Sequence, residues 1–580
     1  MSNTIDIQQF LVGKTFIIPL YQRDYAWTTI QVEDLLEDIA EAIETSSPHY
    51  LGTVVLSHGE PGSFEIVDGQ QRLSTLTLLI HALLEELSTE DQQRIADTAI
   101  LLKRGSELKL NFGKNSSFVR NLFSGSNTTP ETAGQRKLRD AHKYARERAK
   151  MLSEKGGRDL IVKWMGTIKT LEIIQFDAKD TGRAIRMFQT INDRGLPLST
   201  MDKAKALLVF YSNRHLSGEL DSNINNYFGQ CFDAFDGMRE FVRKPAFLIN
   251  NIARDTFGED DLLRYHYLSY SFPDIADGGD YYGSTQTVFD SFLRGTLKQF
   301  SKSSPEKLRD FIEDYTQDLS SFCNAFQRVI STAETNPRLY KCLVVLGISA
   351  RLYPLLIRLY QRGMLFETQP DSETDLLQCL ETCDVRVYKT RATDPAKDIG
   401  DLSHGSRHAS TQKISKDLRS FTESFMPDGY FHTLLEQDMY DNRALTLIML
   451  EYDEYRANAK HNIETLRGLV SQQITREHIL PQTPSFAVTE CGFDNDDDYK
   501  AHLHKLGNMT PLTKRENSRC NDASVYTKMT DKNFYSSSHY VSTRLLAHEY
   551  KAGSKQFQKE DLQQRTQTLA EWVQQRWPLW

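Results

Sequence analysis

The sequence predicts an α+β protein of several domains, and three observations support this. The chain has 580 residues, which is too long for a single hydrophobic core. Its N-terminal part mixes short strand patterns with amphipathic helices, whereas the following stretch is mostly helical. A short strand followed by chemically reactive side chains lies near the C-terminus. We therefore expect three domains, at residues 1–205, 206–460 and 461–580.

The overall composition is that of a soluble globular protein, with 39% hydrophobic and 25% charged residues. Seven scattered cysteines argue against a disulfide framework and for a reducing compartment. The N-terminus lacks a signal-peptide pattern, and no uninterrupted apolar run is long enough to span a membrane. We expect a cytoplasmic protein without a membrane partner.

The charge of the chain is unevenly distributed. The formal net charge of −9 argues weakly against a protein that coats nucleic acid indiscriminately. Residues 499–580, however, contain 13 lysines and arginines against seven acidic residues. This local surplus of positive charge is suited to contact with a phosphate backbone.

The N-terminal domain is predicted to begin with a short strand, Phe16 to Ile18, and a helix that starts near Thr28. Residues 50–57 and 64–69 have the patterns of two further strands. Residues 70–87 form a long amphipathic pattern, which predicts a helix directly after the second of these strands.

A candidate anion site lies where that strand meets that helix. Gly69 permits a tight turn, the helix N-terminus offers free N–H groups, and Arg72 adds a guanidinium that can bind a phosphate. Asp68 is suited to hold a hydroxyl, a metal or a water. The residues alone favour a second interpretation, in which Asp68 and Gly69 form a simple turn and Arg72 a surface salt bridge.

A second polar cluster follows the predicted strand at residues 171–177. Asn192 to Gly195 separates two apolar helical patterns, and Ser199 or Thr200 is expected to cap the second of them. Asp202 and Lys205 lie three residues apart on that helix, where a solvated ion pair is an alternative to a functional role.

The middle of the chain is predicted to be mostly helical. The clearest helical patterns are Leu308 to Ile330, Tyr340 to Gln361 and Thr374 to Tyr388, and Lys389 to Thr411 is expected to be a loop. Cys379 and Cys383 lie four residues apart on one helix without evident partner ligands. They are therefore expected to be buried thiols and not zinc ligands.

The C-terminal domain contains the residues most suited to chemistry. In TREHILPQ (475–482) Glu477 directly precedes His478, and HKLGNMTPLTKREN (504–517) contributes Asn508 and Asn517. Oxygen ligands suit a divalent metal that cuts phosphodiesters, and histidine suits a general base near neutral pH. The set predicts a one-metal nuclease; a capped strand end is the alternative.

Two other features of this domain have simpler interpretations. A zinc site is a weaker possibility because the spacing of the candidate ligands matches no known zinc pattern; they are Cys491, His502, His504 and Cys520. A final helix is predicted from Lys559 to Trp577, with Arg565 and Arg576 in solvent or against DNA.

Four segments together resemble one protein family. EHILPQ…LGNMTPL…N is similar to the HNH (ββα-metal) nuclease domain of GmrSD-type proteins. IPLYQRDYAW, EIVDGQQRLSTL and FQTINDRGLPLSTMDKAK resemble the ParB/sulfiredoxin-like nucleotide-binding domain of the same family. The family comprises type IV, modification-dependent restriction enzymes and related phage-defence nucleases.

For the C-terminal residues the resemblance implies specific roles. His478 would be the general base that activates the attacking water, and Asn508 would orient His478 or the scissile phosphate. Glu477 and Asn517 would be the metal ligands. Because Asn517 stands where a strict HNH site has a third histidine, Mg²⁺ or Mn²⁺ is expected before Zn²⁺.

For the N-terminal domain the resemblance implies binding and hydrolysis of a nucleoside triphosphate, ATP or GTP. Asp68 and Arg72 would be catalytic. The full set of implied nucleotide-binding residues is Gln22, Arg23, Asp68, Gly69, Gln70, Gln71, Arg72, Asn192, Arg194 and Asp202.

These expectations combine into a nucleotide-regulated, metal-dependent endonuclease that cuts modified double-stranded DNA and acts as a homodimer. The alternative is a regulatory protein that binds DNA or a partner. In that case the ParB-like domain would not hydrolyse nucleotide, and the HNH domain would be inactive or directed to RNA.

Overall fold

The computed structural model describes residues 2–580 except 20, 21, 23, 46–48, 59–61, 95–101, 105, 106, 127, 179–198, 274, 276–283, 369–373, 521, 522 and 554–556. The chain forms two compact units. The first comprises residues 1–237 and 285–320, and the second residues 238–284 and 321–580. The predicted division at 205 and 460 remains a prediction, since residues 206–460 are shared between the two units. Among the described residues, no helix is long and apolar enough to cross a membrane.

A six-stranded mixed sheet organises the first unit, in the order β1-β8-β3-β4-β2-β7. Its strands are β1 (Ser2–Asp6), β2 (Thr15–Ile17), β3 (Tyr50–His58), β4 (Ser63–Asp68), β7 (Leu110–Asn111) and β8 (Glu172–Ala178); β5 (Lys103–Arg104) and β6 (Glu107–Leu108) form a separate pair. β3 is antiparallel to β4 and parallel to β8, so it lies centrally beside the turn after β4. The four strands predicted from sequence are confirmed to within two residues at each end.

Helices cover the apolar side chains of this sheet. They are α1 (Ile7–Leu11), α2 (Thr29–Thr45), α3 (Gln70–Glu85), α4 (Thr89–Arg94), α5 (Ser116–Phe123) and α6 (Ala133–Thr170), the last interrupted at Gly157. The core combines Val32, Leu36 and Ile39 of α2 with Leu76 and Leu79 of α3. The predicted helix after residue 69 is therefore present and begins at Gln70.

The described residues between 200 and 471 are mostly helical, as predicted for residues 206–460. Its α-helices are α7 (Thr200–Leu216), α8 (Asp221–Phe241), α9 (Asn250–Ala253), α10 (Glu259–Tyr267), α11 (Thr285–Thr287), α12 (Arg294–Ser303), α13 (Pro305–Thr332), α14 (Pro337–Tyr340), α15 (Tyr353–Gln361), α16 (Leu376–Cys383), α17 (Lys397–Gly405), α18 (Thr411–Phe425), α19 (Asp428–Leu435), α20 (Leu445–Ala457) and α21 (Ile463–Ser471). Cys379 and Cys383 are fully buried thiols, as expected.

Two predictions for this stretch are wrong. The predicted loop at 389–411 contains α17, whose buried Ile399 and Ser403 anchor it to the unit. The predicted helix from 340 to 361 is broken, because Gly347 adopts a positive φ of 59° between the π-helical segment Lys341–Val345 and α15.

The C-terminal segment is a two-stranded sheet surrounded by helices. The strands are β9 (Ile474–His478) and β10 (Met509–Thr513), and the helices are α22 (Asp496–Leu503), α23 (Lys514–Cys520), α24 (Val525–Thr530), α25 (Val541–Gly553) and α26 (Lys559–Arg576). A cluster that includes Ile479, Leu512 and Leu562 forms its core.

The expectation that Arg565 and Arg576 reach solvent or DNA is wrong. Arg565 donates to the carbonyl oxygens of Gly507 and Met509, and Arg576 pairs with Glu381 and Glu451. Both guanidiniums therefore hold α26 within its own unit. Arg565 does so directly beneath the start of β10.

Candidate functional site

Glu477 and His478 end a strand within a strand–strand–helix arrangement. β9 pairs antiparallel with β10, so that His478 lies opposite Met509. α23 follows β10 without a connecting loop. Asn517 of α23 donates from its Nδ2 to Thr475 Oγ1 at 3.0 Å, which fixes the helix beside the strand that carries Glu477. The structure thus brings three of the four predicted residues to one strand: Glu477 and His478 end it, and Asn517 contacts it at Thr475.

Asn508, the fourth predicted residue, closes the turn that follows His478. Its Oδ1 accepts the Leu480 N–H at 2.8 Å, and its Nδ2 donates to the carbonyls of Leu480 (3.2 Å) and Leu503 (2.8 Å). The side chain is fully buried. Its amide thus bonds backbone groups on both sides and fixes the turn that follows His478; its role in orienting His478 or the scissile phosphate remains a prediction.

His478 is buried and both of its ring nitrogens have protein partners. Nε2 lies 3.0 Å from His504 Nδ1, and Nδ1 lies 3.2 Å from the amide nitrogen of Gln482. The ring of Tyr440 packs against both histidines, at centroid distances of 4.7 and 5.0 Å. Burial, assisted by His504 and by the charge of Lys528, lowers the pKa of His478 to about 4. The imidazole is therefore neutral near pH 7.

Glu477 takes part in a buried ion pair. Its Oε1 lies 2.7 Å from Lys528 Nζ and accepts the hydroxyl proton of Tyr535 at 3.2 Å. Lys528 also donates to the carbonyl of His478 at 2.8 Å. Burial raises the pKa of Glu477, and the ammonium of Lys528 opposes that rise. The lysine thus favours the ionised carboxylate in a setting that would otherwise favour the acid.

The oxygen atoms of this site fit a hard divalent cation. Glu477 Oε2 and Asn517 Oδ1 accept no hydrogen bond from any residue that the structure describes. A carboxylate oxygen and an amide oxygen are ligands of the type that Mg²⁺ or Mn²⁺ accepts, with water and phosphate oxygens in the remaining positions. Because Lys528 occupies Oε1, Glu477 has only Oε2 left and would bind a metal through that single oxygen.

Sequence reasoning missed the partners of these residues. His504 appeared only as a candidate for the zinc site, and Gln482, Lys528 and Tyr535 were given no role. Lys528 is 50 positions from the His478 carbonyl that it binds, a separation that no local pattern reveals. The sequence signals at this site, the adjacent Glu477 and His478 with Asn508 and Asn517, do not point to these partners.

The structure does not assemble the weaker zinc set. Within the described chain, Cys491, His502, His504 and Cys520 do not form a group of metal-ligand distances; the one group that does so is His81, Glu85 and His142. In that group His81 Nδ1 and His142 Nε2 are 3.1 Å apart, and Arg146 lies 2.8 Å from Glu85. The guanidinium of Arg146 already pairs with the Glu85 carboxylate, and its positive charge disfavours a metal cation at this place.

The turn between β4 and α3 is formed by a glycine in the left-handed conformation directly before the helix. Gly69 has a φ of 94°, and a Cβ at this position would lie 2.9 Å from a Val54 methyl. The guanidinium of Arg72 lies against Gly52 and donates to the Leu51 carbonyl at 3.0 Å. Arg72 is thus anchored to β3 and does not form the surface salt bridge of the alternative interpretation.

Other predicted nucleotide-binding residues surround a small crevice in the same unit. Gln22, Gln70 and Gln71 line a volume of about 20 Å³, enough for about one water. Gln71 also holds the preceding loop, because it accepts the Ala26 N–H at 2.9 Å and donates to the Asp24 carbonyl at 3.3 Å. The crevice in this form does not accommodate a triphosphate.

The other residues of the predicted nucleotide-binding set are not shown beside this crevice. Asp202 lies in the first turn of α7, where its carboxylate accepts the Ser199 hydroxyl at 2.8 Å and so stabilises the helix start. Burial lowers the pKa of Lys205, three residues further on, to about 8. Arg23, Asn192 and Arg194 lie outside the described residues.

Two family models match the chain, one at each of these sites. The model described as "GmrSD restriction endonuclease, N-terminal domain" matches residues 6–209, and "GmrSD restriction endonucleases, C-terminal domain" matches residues 429–572. No curated protein matches the chain. The matched domains define a restriction endonuclease, an enzyme with DNA as its substrate. The chain belongs to the GmrSD restriction endonuclease family, whose role is that of a type IV nuclease.

Proposed function

We propose that this protein is a nucleotide-regulated, metal-dependent endonuclease that cuts modified, foreign double-stranded DNA. The observation that carries the proposal is the β9–β10–α23 arrangement. A buried histidine and a carboxylate end β9, the Asn517 amide contacts the same strand at Thr475, and Asn508 fixes the turn after His478. This is the arrangement expected of an HNH site, and it occurs in the domain matched by the endonuclease model.

In this proposal His478 accepts a proton from the attacking water. Because both ring nitrogens have protein partners, one partner must give way to the water before the reaction. His504 is half-buried and shares a proton with His478 Nε2, so it is suited to pass that proton onward. Replacement of His504 by Gln is expected to slow single-turnover cleavage while leaving DNA affinity unchanged.

Glu477 Oε2 and Asn517 Oδ1 would hold the divalent metal, Mg²⁺ or Mn²⁺. When bound, the metal would polarise the scissile phosphate and offset the negative charge that develops on it. Lys528 favours the ionised carboxylate and Tyr535 fixes its orientation through Oε1. Metal affinity is therefore expected to depend on Lys528, although this lysine is not itself a ligand.

The first unit would bind and hydrolyse ATP or GTP at the turn after β4. The N–H groups at the start of α3 and the guanidinium of Arg72 support a phosphate site there, and Asp68 would act beside them. Because the crevice is small, nucleotide binding would have to open the loop that Gln71 holds. Equal phosphate release by Asp68→Ala and by the parent would refute the hydrolase assignment.

We further propose a homodimer as the active form, since cutting both strands of a duplex calls for two nuclease sites. Analytical ultracentrifugation with DNA and nucleotide should detect two chains per complex. A monomer under every condition that supports double-strand cleavage would refute this part.

The direct test is cleavage of two matched plasmids, one with unmodified and one with modified cytosines. Mg²⁺ or Mn²⁺ is present, with and without ATP or GTP, and His478→Ala serves as the control. Cleavage of the modified plasmid that His478→Ala abolishes supports both the nuclease and its restriction role. Failure of the parent to cut either plasmid under all of these conditions would refute the proposal.

One observation favours a second candidate. Lys528 occupies one oxygen of Glu477, so a metal cation would have to bind beside a fixed positive charge. The same Lys528–Glu477 ion pair is expected in a binding protein whose HNH domain is inactive or directed to RNA. Calorimetric titration with Mn²⁺, together with the plasmid test, separates the two functions. The nuclease requires binding that Asn517→Ala weakens, whereas an inactive HNH domain requires none. An RNA-directed HNH domain would also bind Mn²⁺ but would cut RNA and leave the modified plasmid intact.

A further inference from the structure

A large cleft opens within the second unit and reaches β9, the strand that carries Glu477 and His478. It has a volume of about 850 Å³, and all its lining residues belong to the segments 238–284 and 321–580. Its walls come from α9, α10, the π-helical segment Asp384–Thr390, α17 and β9, which are distant in sequence. No residue of the cleft was assigned a role by the sequence.

The cleft is strongly cationic. Six basic side chains line it against two acidic ones: Arg254, Arg264, Arg351, Lys389, Arg443 and Arg476 face Asp394 and Asp441. Arg351 is neutralised by a bidentate pair with Asp394, which leaves an excess of positive charge. Such a surplus inside a concave wall attracts a polyanion more strongly than the same charges on a convex surface.

Two of these arginines are available to a ligand. The exposed side chains of Arg254 and Arg443 make no hydrogen bond or ion pair with any residue in the described part of the chain. Lys389, by contrast, donates to the Gly347 carbonyl at 2.7 Å and lies 3.4 Å from Asp384. Arg254 and Arg443 are therefore the side chains most suited to bind an external anion.

The cleft is continuous with the nuclease strand. Arg476 lines the cleft from β9, two residues before His478, and side chains two apart on a strand point to the same face. Tyr440 connects the two places, because its carbonyl accepts a hydrogen bond from Arg476 and its ring packs on His478. Two residues of strand span about 7 Å, so a chain of phosphates bound near Arg476 continues to His478 within a short distance.

The cleft is suited to phosphates and not to bases. Its two aromatic residues, Tyr265 and Tyr388, are buried, with exposed fractions of 2% and 8%. A site for unpaired bases or for a nucleobase normally presents an aromatic face for stacking. A cleft that presents positive charge but no exposed aromatic face is suited to a sugar–phosphate backbone.

We propose that this cleft binds the sugar–phosphate backbone of the DNA substrate and directs it to His478. The proposal rests on the proposed nuclease function and adds the surface on which the DNA lies. Arg254 and Arg443 bind phosphates in it, and Arg476 binds the phosphate next to the scissile one.

The test is binding of a 30-base-pair duplex, measured by fluorescence anisotropy at several salt concentrations with the full chain in EDTA, so that no cleavage occurs. Arg254→Ala/Arg443→Ala is expected to weaken binding and to reduce the slope of log Kd against log salt by about 2, since about one counterion is released per phosphate contact. The double lysine variant should retain most of the slope. Lys416→Ala/Arg419→Ala, which removes two exposed cations of α18, is the matched control.

The outcomes separate this proposal from the proposed function. If the parent binds DNA and the double alanine variant binds it with the same affinity and slope, the cleft proposal is overturned while the nuclease remains. If the variant loses binding of ATP but not of DNA, the cleft is a nucleotide site and the proposal is overturned. A parent that binds no DNA overturns both proposals.

Discussion

The buried lysine beside the proposed metal ligand gives the sharpest prediction. Lys528 is 1% exposed, lies 2.7 Å from Glu477 Oε1 and donates to the carbonyls of His478 (2.8 Å) and Ile479 (3.4 Å). Lys528→Met leaves the buried carboxylate without its partner. Loss of one member of a buried pair costs about 3–5 kcal/mol. The local opening equilibrium of β9 and β10 should therefore rise by about 100- to several-thousand-fold.

Hydrogen exchange measured by mass spectrometry on peptides that cover β9 and β10 reads this local stability directly. Lys532→Met, at an exposed position four residues on, is the matched control and should leave exchange unchanged. The double variant Glu477→Gln/Lys528→Met removes the stranded charge and should recover most of the protection. Protection in Lys528→Met within a factor of five of the parent would refute the assignment of a structural ion pair.

The same variant should also weaken metal binding. The charge of Lys528 lowers the pKa of Glu477 against the effect of burial, so its removal raises that pKa further. The protonated acid competes with the metal, and Mn²⁺ affinity should fall most steeply as the pH is lowered. Equal Mn²⁺ affinity in parent and variant at pH 6 would contradict this account.

Three further predictions concern other parts of the molecule. Asn508→Ala removes three hydrogen bonds from buried backbone groups and should cost about 2–4 kcal/mol of local stability in the same exchange experiment; a loss below 1 kcal/mol would contradict the positioning role. Gly52→Ala puts a Cβ 1.6 Å from Arg72 Nη1 and should abolish nucleotide binding in a filter assay, whereas Gly125→Ala, also at positive φ but with nothing within 4 Å, should not; equal binding by both would refute the anchored Arg72. His478 has a pKa of about 4 in the folded chain, so between pH 6.5 and 4 the folded chain binds fewer protons than the unfolded chain, and the free energy of unfolding falls by about 3 kcal/mol as the pH drops through that window. Urea unfolding of His478→Gln should therefore depend less on pH than unfolding of the parent. The same pH dependence in both would contradict the burial of His478.

The local features of the fold were readable from the sequence. Alternating apolar residues and the Asp68–Gly69 turn predicted the start of α3 to the residue, because strand and helix periodicities depend on near neighbours. The order of the sheet was not readable. β1 and β8 pair across about 170 residues, and only tertiary packing selects such partners.

For the candidate site, too, some residues could be predicted from the sequence and others could not. Glu477, His478 and Asn517 were found because their residue types are unusual at a strand end and within the next helix. Lys528 and His504 were not, since an isolated lysine or histidine in the sequence gives no sign of its burial. The three backbone partners of Asn508 also needed the structure, because they lie on segments that the sequence does not bring together.

The central claim is that His478 is the general base of a DNA nuclease, and single-turnover cleavage of a modified plasmid by an excess of the chain tests it most directly. Parent and His478→Ala are compared at saturating Mn²⁺, with duplex affinity measured alongside. The account predicts that His478→Ala cuts about 100- to 10,000-fold more slowly while binding DNA as tightly as the parent. A cleavage rate within tenfold of the parent, at equal affinity, would contradict it.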